Sequence, residues 1–508
     1  MNKQPQKILA FLFPTFGNIL WMAAFFEVLI FGNRMMNADG DLGRHLTLGR
    51  YILDQGEIPL RDLFSHTMTG QPLTPHEWLS QVIFALADRI FGLEGVILLC
   101  ALVIGTTFWI VLKRAQGESQ TLITAVLVAF LAMINSMVHW LARPHIFTFL
   151  LLAMWMKALD QMRGGKLKRW WVLPVLMALW ANLHGAFIAG FVTWFIYGVG
   201  VGWDAFWDRI PEGEELPHHF WRYYLLGGGT AFLVTLLNPS GIGLWKTSIG
   251  YIGNKYLVDF TQEYQAPNFH EVALWPFLIY IGLLVIVIGL SNKKTESGLL
   301  FNGAAWLVMG LYSGRNIPLF AIVATPLLAG GLNNMFINAS YRANFMDRLM
   351  NIDARIQIIE KQLKGSLWPV LSIVVAVVGL VVGFRFDYHG RGYAFDPEVF
   401  PVKAVNWLDD NPQEGETFNY FTWGGYLLYR QWPERQVFID GQTDFYGEEF
   451  TRQYVQVITL QAGWESVLDQ YNVRWVILPP DEAAVRAIQS ELGWKVIYED
   501  ETAVILRR

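Results

Sequence analysis

Residues 95–114 read GVILLCALVIGTTFWIVLKR, an uncharged run that ends in a lysine and an arginine. A run of this length, folded as a helix, spans the hydrocarbon core of a bilayer. Basic residues gather on the cytoplasmic side of membrane helices, so Lys113-Arg114 predicts which end of this helix faces inward. Similar apolar stretches recur along most of the sequence, which indicates a polytopic α-helical membrane protein.

The composition agrees with a membrane protein. The chain has 508 residues, of which 53% are hydrophobic and 16% are charged, against about 25% charged in soluble domains. This excludes a soluble multidomain enzyme. The formal net charge is −5, and no long basic run lies outside the loops between apolar stretches, so we expect no nucleic-acid partner. The single cysteine, Cys100, excludes an intrachain disulfide and a cysteine-based zinc site.

The apolar stretches predict eleven transmembrane helices. Their ranges are 8–31, 95–112, 122–140, 146–159, 171–180, 186–201, 224–237, 274–290, 299–311, 319–332 and 368–382. Lys3 and Lys7 precede the first stretch and no cleavage site follows it, which predicts a retained helix with a cytoplasmic N-terminus. Because 171–201 and 299–332 are short for two spans each, nine spans are the alternative. Only a count of eleven spans places Lys293-Lys294 in the cytoplasm. With nine or with eleven spans, the C-terminal segment lies outside.

The polar interruptions are predicted to gather on the outer side of the membrane. They are the segments 39–41, 143–145, 182–185, 238–241, 259–263 and 313–316. Ionisable groups close to lipid are costly and usually mark a site or a pathway. The alternative is that the glycine, proline and asparagine residues in these segments only terminate helices.

The first outer loop, residues 32–76, contains the clearest chemical motif. Asp39 and Asp41 form a D-x-D pair, which can bind a divalent cation through oxygen ligands or leave one carboxylate free to accept a proton. A solvated turn that caps the next helix is the alternative. The spacing of apolar residues over 42–53 predicts a helix lying in the membrane interface. The stretch 78–112 is too long for one span and carries Asp88, Arg89 and Glu94, which predicts a second interfacial helix over 78–91.

After residue 384 the composition changes to that of a small α/β domain. Strands are predicted at 416–420, 436–440, 474–478, 495–498 and 503–506, alternating with helices at 399–408, 426–431, 450–461, 466–471 and 483–492. No glycine fingerprint follows a strand, which argues against dinucleotide binding. The loop 440–444 follows a predicted strand and could bind a ligand or merely form a tight turn.

Together these features resemble the GT-C superfamily of integral membrane glycosyltransferases, which use a polyprenyl phosphate or diphosphate sugar donor. The chain shares with them many spans, an acidic motif in the first outer loop and an outer C-terminal domain. The patterns DLGRH at 41–45, DLFS at 62–65, HEW at 76–78 and NLHG at 182–185 are similar to a group of bacterial GT-C-like proteins. The resemblance implies a polytopic helical domain over 1–384 and an extracytoplasmic α/β domain over 385–508, in a prokaryotic inner membrane.

The resemblance also implies roles for individual residues. Asp41 or Asp39 would be the base that activates an acceptor hydroxyl or amine, helped or replaced by a divalent metal, Mg or Mn, bound to the same pair. The residues implied in binding the lipid phosphate or the substrate are Arg44, His45, His76, Glu77, Arg143, His184, Glu263 and Arg315. Arg143 and Arg315 could equally form structural ion pairs or bind lipid headgroups.

The implied reaction is one direct displacement with inversion at the sugar. Its expected partners are membrane lipid, a polyprenyl-linked sugar donor and a glycan, lipid or protein acceptor. Two other functions remain open at this point. A transporter or flippase would also need a polar outer cavity, although no convincing internal repeat occurs in the sequence. In a non-catalytic assembly factor, Asp39 and Asp41 would be dispensable.

Overall fold

A computed structural model describes residues 10–209, 216–290, 295–338, 344–363, 365 and 367–508. The predicted topological markers Lys3, Lys7, Lys293 and Lys294 lie outside these residues. The helices preceding the C-terminal domain are α1 (Phe16–Asn37), α2 (Asp41–Gln55), α3 (Trp78–Phe91), α4 (Leu93–Glu118), α5 (Leu122–Ser136), α6 (His145–Arg163), α7 (Val172–Leu183), α8 (Ile188–Phe206), α9 (Phe220–Val234), α10 (Gly243–Gly253), α11 (Lys255–Phe260), α12 (Trp275–Leu290), α13 (Ser297–Tyr312), α14 (Ile317–Asn338), α15 (Asn344–Gln362) and α16 (Leu367–Val381).

A helix occurs at each of the eleven positions where a span is predicted. Six helical segments of the described chain are long and apolar enough to cross a membrane, or seven if α15 and α16, which meet at 70°, are counted as one. They are Ala10–Asn37, Leu93–Glu118, Leu122–His139, Gly185–Phe206, Val272–Leu290 and Gly314–Met335. The predicted count of eleven spans is therefore not confirmed. α7, with 12 residues, rises only about 18 Å against a hydrocarbon core of about 30 Å.

The two segments that the sequence left open as one or two helices are both broken. His184 separates α7 from α8, and Ser313 separates α13 from α14, each with extended backbone angles. A short 3₁₀ turn follows each break, Gly185–Phe187 and Gly314–Asn316. The breaks place His184 and Arg315 at helix ends, where polar side chains can be accommodated.

The two predicted interfacial helices are present as α2 and α3, and they pack closely against each other. A Cβ atom at Gly49 of α2 would lie 2.0 Å from the Gln81 carbonyl oxygen of α3, so this contact requires glycine. Arg50 of α2 donates to Asp88 of α3 at 2.6 Å. The apolar side chains of Leu86 and Ile90 are exposed, as expected for a helix that lies in the membrane interface.

The C-terminal residues form a small α/β domain around a four-stranded sheet. Its strands are β1 (Glu416–Asn419), β2 (Val473–Leu478), β3 (Lys495–Glu499) and β4 (Val504–Arg507), and its helices are α17 (Val402–Asp410), α18 (Gly424–Gln431), α19 (Thr443–Ile458), α20 (Trp464–Gln470) and α21 (Ala483–Leu492). The strand order is β1-β2-β4-β3, in which only β1 and β2 are parallel. Four of the five predicted strands are therefore confirmed.

The strand predicted at 436–440 is wrong. The Asn419 side chain takes the place of a neighbouring strand there, since its Oδ1 accepts the Phe438 N–H at 2.8 Å and its Nδ2 donates to the Ile439 carbonyl at 2.9 Å. On the other side the segment forms a single parallel bridge from Val437 to Ser65 of the first loop. The β-rich sequence at 436–440 thus joins the domain to the loop instead of extending the sheet.

The first loop and the C-terminal domain pack as one unit through α2. Arg44 of α2 donates through Nε to Asp440 at 2.9 Å, and the two side chains are only 5% and 2% exposed. Next to this pair, a Cβ atom at Gly43 would lie 2.3 Å from the Gly425 carbonyl oxygen. The Arg44–Asp440 pair is buried, and the close approach of Gly43 to Gly425 leaves no space for a side chain. The position of α2 therefore depends on the C-terminal domain. The domain boundary at 384/385 stays a prediction.

We expect Arg44→Ala to lower the free energy of unfolding by about 3–5 kcal/mol, because it leaves Asp440 as a buried and unpaired charge. The measurement is denaturant unfolding in detergent, followed by tryptophan fluorescence. The matched control is Arg89→Ala, which breaks an exposed pair with Asp54 (48% and 56% exposed) and should cost at most about 1 kcal/mol. Equal losses in the two variants would contradict an anchoring role for Arg44.

Candidate functional site

The candidate site lies where one end of the helix bundle meets α2, α3 and the C-terminal domain. Its residues come from helix ends and loops that are distant in sequence. Nine of the ten predicted site residues fall into two neighbouring clusters here. The acid–arginine cluster contains Asp39, Asp41, Arg143, Glu263 and Arg315. The histidine cluster contains His45, His76, Glu77 and His184.

Arg143, just before α6, is the centre of the acid–arginine cluster. Its guanidinium contacts Asp41 through one terminal nitrogen, and the other lies 3.3 Å from Asp39 and 3.4 Å from Glu263. A single cation thus holds three carboxylates that come from the first loop and from the segment after α11. Delocalised charge and several donors suit guanidinium to this arrangement better than a lysine ammonium.

Glu263 is the most strongly stabilised anion of the cluster. Its carboxylate lies 3.2 Å from Arg315 at the start of α14 and 3.6 Å from His139 Nε2. Burial acts to raise the pKa of Glu263, but Arg315, Arg143 and His139 outweigh burial and hold this pKa at about 2. Glu263 is therefore ionised at every pH near neutrality.

The pKa of Asp39 is shifted in the opposite direction to that of Glu263. Burial raises the pKa of Asp39 to about 6; Arg143 opposes the rise, while the negative charges of Asp41 and Glu263 add to it. Asp39 also accepts the Asp41 backbone N–H at 2.9 Å. The acid–arginine cluster therefore contains a carboxyl group that exchanges a proton close to physiological pH, a property typical of functional sites.

Glu77, at the start of α3, is the centre of the histidine cluster. Its carboxylate lies 3.4 Å from His184 Nε2, 3.8 Å from His45 Nδ1 and 3.9 Å from His76 Nε2. Burial raises the pKa of Glu77, opposed by His76 and Arg143. Burial also lowers the pKa of His45 and of His184 well below the usual value, so these two imidazoles are neutral at neutral pH.

The loop 440–444 closes the site from the side of the C-terminal domain. Asp444 lies 3.5 Å from His76 Nδ1. Burial acts to lower the pKa of His76, but Asp444 and Glu77 outweigh burial and raise it. Gly441 approaches Asp41 so closely that a Cβ atom would lie 1.7 Å from the carboxylate. The loop therefore lies beside the predicted site, and Asp444 contacts the histidine cluster. Ligand binding by this loop stays a prediction.

Two more residues of the site escaped the sequence analysis. His139 contacts Glu263, and the Arg315 guanidinium lies over the Tyr264 ring, 4.2 Å from its centre. An ionisable residue near the end of a predicted span is itself a functional signal, and this signal could have identified His139. Tyr264 carries no such signal, because only the folded chain brings Arg315 to it.

Arg44 is the one predicted site residue that points elsewhere. Its side chain is buried against Asp440 and does not contact either cluster. It lies one residue before His45, so pairing with Asp440 fixes the helix turn that presents His45 to Glu77. The contact favours a positioning role for Arg44 over direct binding of a lipid phosphate.

The acidic pair satisfies part of what a divalent cation requires. Asp39 and Asp41 supply carboxylate oxygens, the ligands that Mg²⁺ and Mn²⁺ prefer, and their mutual repulsion contributes to the raised pKa of Asp39. Within the described ranges, no three His, Cys, Asp or Glu side chains are arranged to hold a metal ion by themselves. A cation here would therefore be held by these two carboxylates and complete its coordination with water or substrate oxygens.

Comparisons with known proteins place the chain by fold. No protein-family model and no curated protein matches the sequence. Among solved structures, the archaeal oligosaccharyltransferase AglB from Archaeoglobus fulgidus, in complex with an inhibitory peptide and a dolichol-phosphate, aligns with a TM-score of 0.57 at 12% identity over 91% of this chain and 69% of that chain. The same oligosaccharyltransferase, tethered with an acceptor peptide containing the NVT sequon, gives 0.55 at 13% identity over 91% and 68%.

A second type of glycosyltransferase has a similar fold. The arabinofuranosyltransferase AftD from Mycobacteria aligns with a TM-score of 0.52 at 12% identity, over 100% of this chain and 42% of that much longer one. Both AglB and AftD are GT-C glycosyltransferases. Identities this low establish the fold alone. The chain has the GT-C fold, and the resemblance predicted from the sequence is confirmed.

The raised pKa of Asp39 can be tested without any substrate. We expect a carboxyl C=O infrared band that grows as the pH falls through about 6, because Asp39 takes up a proton there. The band should disappear in Asp39→Asn and persist in Asp54→Asn, a change of an exposed acid on α2. In Arg143→Gln the titration should move to higher pH, since Arg143 is the main group that lowers this pKa. A band unaffected by Asp39→Asn would contradict the assignment.

Proposed function

We propose that this protein is a membrane glycosyltransferase that moves a sugar from a polyprenyl phosphate or diphosphate carrier to an acceptor. The observation that carries the proposal is the contact of Arg143 with Asp39, Asp41 and Glu263 at one end of a bundle with the GT-C fold. Three half-buried carboxylates beside two arginines supply both a proton acceptor and cations for a phosphate leaving group. The known activities of AglB and AftD support the same class of reaction.

Asp41 is proposed as the general base. It lies at the start of α2, held between Arg143 and Gly441. The acceptor hydroxyl or amine gives its proton to the Asp41 carboxylate while its oxygen or nitrogen bonds to the anomeric carbon. The bond from that carbon to the carrier phosphate breaks, and its electron pair stays on the phosphate oxygen. One direct displacement of this kind inverts the anomeric configuration. A positioned base typically contributes about 10²–10⁴-fold to the rate.

Arg143 and Arg315 are proposed to stabilise the departing phosphate. Both guanidinium groups contact Glu263, so their positions are defined before any substrate binds. Charge that develops on the leaving oxygen is best stabilised by cations already in place in a site with little water. The carboxylate of Glu263 then acts mainly to orient these two arginines. It is well suited to this because its pKa is held at about 2.

The histidine cluster is proposed to line the acceptor side of the site. His76 and Glu77 start α3 in the first loop, and His184 reaches them from the break between α7 and α8. A divalent Mg or Mn ion bound to Asp39 and Asp41 would supply further positive charge next to the carrier phosphate.

The proposed location is the outer face of a prokaryotic inner membrane. The pair Lys113-Arg114 lies at the end of α4 away from the site, and basic residues favour the cytoplasmic side. This orientation places Asp39, Asp41 and the C-terminal domain outside, where the predicted topology also has them. Carrier-linked donor, acceptor and site would then share one side of the bilayer.

Asp41→Asn should reduce sugar transfer by at least about 10²-fold. The assay uses purified protein with radiolabelled polyprenyl-phosphate and polyprenyl-diphosphate sugars, and it counts both transfer to added acceptors and hydrolysis of the carrier. Asp54→Asn, in the same loop but exposed, should keep full activity. Chelator followed by Mg²⁺ or Mn²⁺ should restore lost turnover if the acidic pair binds a metal. Unchanged turnover in Asp41→Asn would contradict the assignment of Asp41 as the base. If no donor is turned over and the intact donor is flipped across vesicle membranes, a transporter would be favoured.

Arg315→Gln should lower kcat by roughly 10²–10³-fold, as the loss of one charge-stabilising donor usually does. Arg315→Lys should recover part of this loss, because an ammonium keeps the charge without the planar fork. The matched control is Arg89→Gln, an exposed arginine outside both clusters. A change confined to KM in Arg315→Gln would show that Arg315 binds the donor without acting on the leaving group.

A further inference from the structure

A cavity lined mostly by polar residues lies at the opposite end of the bundle from the candidate site. Its volume is about 770 Å³, and it is lined among others by Thr15, Asn18, Trp109, Lys113 and Glu360. Thr15 caps the N-terminus of α1, whereas the acidic pair of the candidate site follows the C-terminus of that helix. The cavity is therefore a helix length away from the proposed chemistry and takes no part in it.

Two lysines lie around one tryptophan of this cavity. The Nζ atom of Lys113 is 5.9 Å from the centre of the Trp109 ring, and that of Lys157, from α6, is 5.6 Å from it. Within the described part of the chain, neither lysine forms an ion pair with a carboxylate. The neighbouring Arg114, in contrast, is paired with Asp160 at 2.8 Å. Lys113 and Lys157 are thus half-buried cations beside an aromatic ring, and Lys113 also donates to Gln116 Oε1 at 3.0 Å.

The acid that lines the cavity is already engaged. Both oxygens of Glu360 accept the Phe16 backbone N–H at 3.2 Å, at the positive end of the α1 dipole. The negative charge of Glu360 therefore stabilises the positive end of the α1 dipole more than it neutralises the lysines. A third lysine, Lys361, also lines the cavity. Among the described residues, no carboxylate forms an ion pair with Lys113 or Lys157, so an external anion would balance their positive charge.

The wall of the cavity formed by α15 is suited to a membrane surface. On one face, Asp353 is buried and accepts the Leu122 and Ile123 backbone N–H groups at 3.2 and 2.8 Å, which fixes α15 to the start of α5. The apolar side chains of Ile358 and Ile359, next to Glu360 in the sequence, are 61% and 57% exposed. A helix with one anchored face and exposed isoleucines is typical of the lipid interface.

We propose that this cavity binds the phosphodiester headgroup of an anionic phospholipid from the leaflet at this end of the bundle. Basic pockets between membrane helices on the cytoplasmic side are typical sites for such headgroups. The headgroup phosphate lies beside Lys113 and the indole of Trp109, with Lys157 adding charge, and the acyl chains follow the apolar face of α15. The ligand chemistry is that of a phosphate ester, and free phosphate would share it.

The test compares lipid binding by two double variants of the full chain in neutral detergent. Native mass spectrometry with added phosphatidylglycerol or phosphatidylcholine measures the bound fraction. We expect Lys113→Gln/Lys157→Gln to weaken phosphatidylglycerol binding at least about 10-fold, since each basic residue near an anionic lipid contributes substantially. Lys166→Gln/Lys168→Gln removes two exposed lysines shortly after α6 and should leave binding unchanged. Phosphatidylcholine should bind weakly to all forms.

Two measurements separate the alternatives. Inorganic phosphate at millimolar concentration should not displace the lipid. If phosphate displaces the lipid, and the parent protein binds phosphate while Lys113→Gln/Lys157→Gln does not, the lipid assignment is overturned. Equal weakening in both double variants would show a general surface-charge effect and would also overturn it. Melting temperatures of the lipid-free variants should agree with that of the parent. If Lys113→Gln/Lys157→Gln unfolds, the milder Lys113→Arg/Lys157→Arg, which keeps both charges, should retain lipid binding.

Discussion

The arrangement of the candidate site depends on one half-buried guanidinium, that of Arg143. Asp39, Asp41 and Glu263 carry negative charge at the end of a membrane bundle, where an uncompensated carboxylate is expensive to bury. Arg143 contacts all three. It therefore links the first loop, the start of α6 and the segment after α11. At Asp39 burial outweighs Arg143 and raises the pKa to about 6, whereas at Glu263 burial is outweighed by Arg315, Arg143 and His139, which hold the pKa at about 2. Neighbouring carboxylates with pKa values pushed apart are suited to different chemical tasks.

The C-terminal domain is part of the site and not an appendage to it. Gly441 lies directly against the Asp41 carboxylate, and the Asp444 carboxylate contacts His76. The buried pair of Arg44 with Asp440 holds this loop against α2. Because that contact is fully desolvated, the domain and the first loop take up one relative position, and the carboxylates are oriented before substrate arrives. Orientation of this kind lowers the entropic cost of bringing reacting groups together.

Much of the architecture follows from local sequence. The apolar runs predict a helix at each of eleven positions, and α3 and α21 begin and end where the sequence predicts. The segment 436–440 shows where local reasoning fails. Its β-rich sequence predicts a strand, but the amide of Asn419 satisfies its backbone on one side and the first loop does so on the other. The short helices α7 and α13 show a second limit, since their apolar sequence does not tell whether they cross the bilayer.

The sequence by itself determined the class of protein, the helix positions, the GT-C resemblance and most of the residues that meet at the site. Burial is costly for charged groups, so in a chain this poor in charge the positions of the charged residues indicate candidate functional residues. Only the tertiary structure decided which residues pair. Arg44 pairs with Asp440, and Arg143 contacts three acids. His139 contacts Glu263, and Asp444 contacts His76. Pairing depends on distances between helix ends far apart in the chain, and no local pattern encodes such distances.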